Sequence, residues 1–193
     1  MSESSSQEIG ESVNNLGLAL MEFERLSREN GLWTRLWLNW DSACSEFNES
    51  FSDFAPSALS VLKTLAEDPQ TKSAGVFGVV RGDDVLAACQ LNVAGLPGYS
   101  GKVLRLRHLV LSPRFDFSED TTVDDYVDVL STMFAGTVRC AETAMPADHI
   151  KLHFRSPADR EFFNRFQREL SGSATFGSVQ MRGAWLYLTK TQS

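Results

Sequence analysis

The feature that most constrains the fold is a strand pattern that runs through a loop into a helix pattern, over residues 102–134. Apolar residues dominate positions 103–112, and Pro113 ends this predicted strand. Thr121 or Thr122 can then cap a helix, because a hydroxyl oxygen accepts a hydrogen bond from a free N–H of the first turn. The remaining strand and helix patterns flank this unit, which predicts one α/β sheet. The apolar face of the predicted helix consists of Val123, Tyr126, Val127, Leu130 and Phe134.

Length and charge bound the class of protein. The chain has 193 residues, which is typical of one domain with an appended segment. Residues 1–12 are rich in Ser and Glu, so we expect a mobile tail followed by one domain over residues 13–193. A net charge of -7 argues against nucleic acid as a partner.

Targeting and cysteine patterns predict a soluble, cytoplasmic protein. The N-terminus lacks the basic region of a signal peptide, and no apolar stretch reaches the roughly 18 to 20 residues that span a membrane. Cys44, Cys89 and Cys140 lie far apart without C-x-x-C spacing, which argues against a disulfide framework and a zinc site. We therefore expect a reducing compartment, no membrane contact and no bound metal.

The N-terminal third predicts helices, with one ambiguous segment. Apolar residues at helical spacing predict a helix over residues 13–29. In residues 31–40 the tryptophans fit one face of a helix, but alternation equally fits a strand that ends near Trp40, and both alternatives stay open. We expect these tryptophans in the core, and an aromatic patch that binds a partner is the alternative. Pro56 suits the first turn of a further helix that ends before Asp68.

Extended patterns dominate the rest of the chain. A turn at residues 81–84 joins two apolar runs into a predicted hairpin. Ser156 and Pro157 mark the start of a last helix, with a hydroxyl cap followed by proline at the first helical position. Besides the central strand, the predicted strands are residues 74–80, 85–93, 149–155, 174–181 and 184–188.

A histidine on the central strand is the candidate catalytic residue. We expect His108 on the side of the strand shared by Leu104, Leu106 and Val110. Imidazole titrates near neutral pH, so His108 can serve as a general base toward an amine, and a purely structural histidine is the alternative.

Other basic residues lie on the predicted central strand and on the predicted strand over residues 149–155. Arg105 and Arg107, together with Arg155, can form an anion site for a phosphate or carboxylate, but we favour ion pairs with the many acids. His149 and His153 share one strand face, but the cation between them and the lack of a nearby carboxylate argue against a metal site.

The order of elements resembles the GNAT superfamily of N-acetyltransferases over roughly residues 30–190. Residues 82–87 look like the hairpin turn of that family, and residues 109–113 look like the end of its fourth strand. Phe162 and Phe163 look like its paired residues on a helix that follows a strand. The resemblance implies a single α/β domain with a mixed central sheet flanked by helices.

The resemblance also implies acetyl-coenzyme A as cofactor, bound where the fourth and fifth strands of the family splay apart. Backbone groups of Leu109, Val110 and Leu111 would pair with the pantetheine arm. Arg114 would begin the pyrophosphate loop, and Ser156 matches the first position of the family motif on the last helix.

Two departures from the family pattern affect the implied chemistry. The loop over residues 114–119 has no glycine and is followed by further acids, although a phosphate needs free N–H groups and a close backbone approach. Phe163 stands where the family tyrosine serves as general acid, and phenylalanine has no proton to donate.

Two functions from different classes follow from these patterns. The first is an acyl-coenzyme A dependent N-acyltransferase that acts on an amine of a small molecule or protein. The second is a pseudoenzyme, in which the fold serves as a binding or regulatory module with a protein partner or a second copy of the chain.

Overall fold

Seven strands form one mixed sheet in the structure, a computed structural model that describes residues 20–68 and 70–191. The strands are β1 (Met21–Leu26), β2 (Ala74–Arg81), β3 (Asp84–Gly95), β4 (Lys102–Leu111), β5 (His149–His153), β6 (Phe176–Arg182) and β7 (Trp185–Lys190). Their spatial order is β1-β2-β3-β4-β5-β7-β6. The β4–β5 pair is parallel, and the other neighbouring pairs are antiparallel.

Helices cover both faces of this sheet. They are α1 (Leu32–Glu46), α2 (Pro56–Ala66), α3 (Arg114–Phe117), α4 (Val123–Glu142) and α5 (Pro157–Leu170). α1 and α2 pack over one apolar cluster, which includes Val76 and Val110 of the sheet. α4 and α5 pack over a second cluster, which includes Leu104 and Leu106. The predicted fold class, a single α/β domain with a mixed sheet flanked by helices, is confirmed.

The prediction of a helix over residues 13–29 is wrong where the structure describes this segment. Residues 21–26 form the edge strand β1, which pairs with β2, whereas residues 1–19 lie outside the described part of the chain. Phe23 and Leu26 have the spacing of three that favours a helix, but in a strand this spacing places them on opposite faces. Phe23 accordingly joins the cluster under α4, and Leu26 joins the cluster under α1.

The ambiguous segment after β1 is helical, so the strand alternative is wrong. α1 buries residues at steps of three and four, which include Trp33, Leu36 and Trp40. The indole N–H of Trp40 donates to the carbonyl oxygen of Val85 at 2.7 Å, which ties α1 to the sheet. Trp37 differs from the expected core position, because 37% of it is exposed.

A bulge in β4 decides which way the end of this strand points. Gln90 pairs with Arg107 and Ala88 pairs with Val110, so β4 has one more residue than β3 in this interval. His108 takes up the extra residue at a φ of 52°, in the left-handed region. Side chains that follow the bulge therefore point to the face opposite to the one that regular alternation along β4 predicts. The expectation that His108 shares one side with Leu104, Leu106 and Val110 is wrong, because Val110 faces α1 and α2 instead.

Candidate ligand-binding cleft

A cleft opens where β4 and β5 separate. The two strands pair only over Val103–Leu106 and His149–Leu152. Beyond Leu106, the edge of β4 that faces β5 has no strand partner in the described chain, so its backbone N–H and C=O groups are free to bind a ligand. The cleft at this edge has a volume of about 620 Å³.

Six parts of the chain supply the walls of this cleft. They are the α1–α2 connection, the start of α2, the end of β4, the short helix α3, the first turn of α4 and the start of α5. Four acids line the cleft, and Arg155 is its basic residue. The cleft is therefore acidic overall. The lining acids are Glu49, Asp53, Asp116 and Asp159.

Asp159 and Tyr126 form a hydrogen-bonded pair in the wall of the cleft. The Tyr126 hydroxyl donates to Oδ1 of Asp159, which is only 6% exposed. Burial raises the pKa of Asp159, and the negative charge of Asp116 raises it further, although the Tyr126 hydrogen bond acts in the opposite direction. Burial and the Asp159 carboxylate likewise raise the pKa of Tyr126. Tyr126 is therefore a hydrogen-bond donor here and not an ionised base.

Asp116 is a second acid in the wall of the cleft, and unlike Asp159 it is exposed. It lies on α3, and partial desolvation raises its pKa above the ordinary value. The negative charge of Asp116 raises the pKa of Asp159, so the two carboxyl groups lie close enough to interact, and a cation placed near both would be stabilised by both carboxylates. Neither acid was singled out for chemistry in the sequence. Asp159 follows Tyr126 by 33 positions, so only the fold brings them together.

The start of α4 uses its own side chains to satisfy its free backbone groups. Thr122 Oγ1 accepts from the Asp125 N–H at 3.1 Å, and the Asp125 carboxylate accepts from the Thr122 N–H at 3.0 Å. This capping box also confirms Thr122 as the predicted cap. A pyrophosphate at this helix start would have to displace the Asp125 carboxylate.

The resemblance implies acetyl-coenzyme A as cofactor, and the cleft fits the pantetheine arm of this molecule but not its pyrophosphate. The free edge of β4 offers the backbone partners that a pantetheine arm requires. The pyrophosphate does not fit, because the loop between α3 and α4 has no glycine and the capping box occupies the helix start. The residues present therefore do not fit the whole cofactor.

The residues predicted to contact the cofactor are only partly brought together. Leu109, Val110, Leu111 and Ser156 line the cleft. Ser156 Oγ also caps α5, where it accepts from the Ala158 N–H at 3.1 Å. Their role in binding stays a prediction.

Arg114 and the family tyrosine position lie away from the cleft. Arg114 forms an ion pair with Glu46 of α1 at 3.1 Å and is not among the lining residues. Phe163 is 2% exposed and stacks on Phe154, with ring centroids 4.3 Å apart. Phe163 is thus a core residue of the α5 layer and contributes nothing to the cleft.

His108 lies beside the cleft but does not line it. Burial lowers the pKa of His108, and the charges of Arg107 and Arg155 lower it further. The imidazole is therefore neutral at neutral pH, the form that a general base needs. Its catalytic role stays a prediction.

The expected ion pairs of the central arginines are missing in the described chain. The ion pairs found there involve Arg28, Arg35, Arg114 and Arg165. Arg105, Arg107 and Arg155 have no carboxylate partner among the described residues, so our preference for ion pairing over an anion site is wrong there.

The strand order, the parallel β4–β5 pair and the bulge in β4 where the two strands separate agree with the mixed sheet that the resemblance to the GNAT superfamily implies. No family model matches the sequence, and no curated protein matches it. Within residues 20–68 and 70–191, no helix is long and apolar enough to cross a membrane.

Several solved structures are similar to this chain. A probable acetyltransferase from Staphylococcus epidermidis is 15% identical, with 89% of this chain and 100% of that chain covered and a TM-score of 0.49. The Campylobacter jejuni N-acetyltransferase PseH in complex with acetyl coenzyme A is 14% identical, with 90% and 100% covered and a TM-score of 0.46. An aminoglycoside acetyltransferase from an uncultured soil metagenomic sample, in complex with trehalose, is 13% identical, with 84% and 95% covered and a TM-score of 0.41. At these scores the likeness gives no information on activity or substrate.

Proposed function

We propose that the chain is a binding module on the acetyltransferase fold, and that its cleft takes a small molecule with a protonated amine. The observation that carries the proposal is the self-capped, acidic start of α4, at the place where the cofactor of such a fold would need phosphate-binding groups. The module binds its ligand without the coenzyme A pyrophosphate.

Electrostatics supports this assignment. A carboxylate about 6 Å from a phosphate costs roughly 1–3 kcal/mol at effective dielectric constants between those of water and a protein surface. Asp124 and Asp125 lie in the first turn of α4, and Asp116 lies in the cleft wall. The same charges that repel a pyrophosphate attract an ammonium group, which also finds the Tyr126 oxygen as an acceptor nearby.

The second candidate function is an acyl-coenzyme A dependent N-acyltransferase. The free edge of β4 favours it, because an extended acyl-pantetheine arm can pair with such an edge. In this case His108, neutral at neutral pH, is the candidate base.

Thermal unfolding in the presence of two probes separates the candidates. The probes are spermidine and acetyl-coenzyme A, each titrated against the purified full chain. A ligand at 100 times its dissociation constant adds about 2.7 kcal/mol of stability, which raises the midpoint by about 5–10 °C for a chain of this size. We expect a saturable shift with spermidine and none with acetyl-coenzyme A.

Two matched variants locate the amine site. Asp116→Asn removes one charge from the cleft wall and should abolish most of the spermidine shift. Asp120→Asn removes the same charge from an exposed position outside the cleft and should leave the shift unchanged. A saturable shift with acetyl-coenzyme A, together with thiol release from it in the presence of an amine, would establish the transferase and refute the binding module.

A further inference from the structure

One face of the sheet is left uncovered by α1 and α2 beyond β4, next to the cleft. The cluster under α1 and α2 contains no described residue of β5, β6 or β7, so this helix layer ends at β4. On β5, Ile150 and Leu152 belong to the opposite cluster, and Lys151 between them therefore points to the face that α1 and α2 leave open. Arg105 pairs with Lys151 across the β4–β5 ladder, so both lie on this open face.

Positive groups converge on this face at the point where β4 and β5 separate. Arg105 and Arg107 alternate along β4, and Arg155 follows the end of β5. Burial lowers the pKa of His153, and the charges of Arg155 and Arg107 lower it further. His153 lies two residues after Lys151 on β5, so its imidazole points to the same open face as Lys151 and Arg105. We name Arg105, Arg107, His108, His153 and Arg155 the basic cluster.

Polar atoms of the basic cluster are buried without partners. Arg105 Nε and His108 Nδ1 have no hydrogen-bond partner in the described chain and are shielded from water. Buried polar groups of this kind are normally hydrogen-bonded, so each such exception indicates a partner outside the described chain. The three arginines of the cluster also lack ion-pair partners among the described residues. Uncompensated positive charge and an unpaired guanidinium N–H both require the same kind of partner, an oxygen that carries negative charge.

We propose that the basic cluster is an oxyanion site, which takes the carboxylate or phosphate group of a small molecule between Arg105, Arg107 and Arg155. Guanidinium groups suit this chemistry, because their planar N–H groups match the oxygens of a carboxylate or phosphate. The site goes beyond the proposed amine-binding cleft, since its groups have the opposite charge. Arg155 lines the cleft as well, so one ligand with an anionic and an ammonium group can reach both sites.

The three histidines of the chain provide the measurement. We would record the imidazole proton resonances by NMR while inorganic phosphate or acetate is added at constant ionic strength, with sodium chloride as the reference salt. An anion beside His108 and His153 stabilises their protonated forms, so their pKa values should rise as the site fills. His149, whose Nδ1 contacts Thr189 Oγ1 at 3.0 Å, serves as the internal comparison.

Matched charge variants assign the effect to the cluster. Arg107→Gln should weaken anion binding by about tenfold or more, because it removes a charged donor. Arg165→Gln removes the same charge from an exposed ion pair on α5 and should leave binding unchanged. A response to phosphate alone or to acetate alone supports the site and identifies the anion. Equal responses to chloride and to both probes, or an undiminished response in Arg107→Gln, would overturn the proposal.

These experiments can refute the amine-binding cleft and the oxyanion site independently of each other. Asp116→Asn removes the spermidine response if the proposed cleft function holds, but it leaves the imidazole response to phosphate or acetate intact. Loss of the anion response in Arg107→Gln with an unchanged spermidine shift would establish the oxyanion site alone.

Discussion

Phe163→Tyr tests whether the structure explains the missing tyrosine of the family pattern. Phe163 is 2% exposed and lies in a cluster of aromatic rings, with Phe154 at 4.3 Å and Phe162 at 4.9 Å between centroids. A hydroxyl added there finds apolar neighbours and no water. A buried hydroxyl without a partner costs about 1–3 kcal/mol, which corresponds to a fall of roughly 2–10 °C in Tm for a chain of this size.

Phe162→Tyr is the matched control. The same hydroxyl is added one residue earlier, on a ring that is only partly buried and meets Tyr126 edge-on at 6.3 Å. Because water can reach this side of α5, we expect a change within about 0.5 kcal/mol. Urea unfolding followed by tryptophan fluorescence gives both free energies of unfolding. If Phe163→Tyr unfolds at the wild-type midpoint, or if it gains thiol release from acetyl-coenzyme A, the burial argument is wrong.

Two further substitutions test the acid pair and the sheet. Burial raises the pKa of Asp159, so the folded state binds a proton on this carboxyl group more tightly than the unfolded state does. Protonation of Asp159 therefore favours the folded state, and this stabilisation is lost as pH rises from about 3.9, the pKa in the unfolded state, to the higher pKa in the folded state. Asp159→Asn, whose amide oxygen still accepts from Tyr126, should therefore gain stability relative to wild type as pH rises in urea unfolding; a relative gain on acidification would contradict this. Gly78→Ala should destabilise by about 2 kcal/mol or more, because its Cβ would lie 2.7 Å from Leu26 Cδ1 and closer still to a backbone oxygen. Gly177→Ala, with open space around the new Cβ, is the control, and equal thermal midpoints for the two variants would refute the packing argument.

Local signals in the sequence determined much of the fold. Thr122 begins α4 and Pro157 begins α5, because a capping hydroxyl and a proline at the first helical position act within one turn of chain. The alternation of β5 likewise follows from its residues, since a strand with one buried face needs an apolar side chain at every second position.

Tertiary pairing decided what these local signals could not. β1 has a helical spacing of apolar residues, yet pairing with β2 and helices on both faces make it a strand. The bulge at His108 depends on register with β3, so it reversed the predicted side of Val110 without any local mark in β4.

The candidate sites likewise depend partly on local sequence and partly on tertiary packing. The sequence indicated that the loop after β4 lacks glycine and is acidic, which already argued against a pyrophosphate. The sequence did not predict the hydrogen bond between Asp159 and Tyr126, because these residues lie far apart in the chain. Nor did it predict that the arginines of β4 have no acidic partner among the described residues, because this depends on how distant segments pack. Composition and short-range pattern set the elements, whereas the charge and shape of the sites arise only when strands and helices pack together.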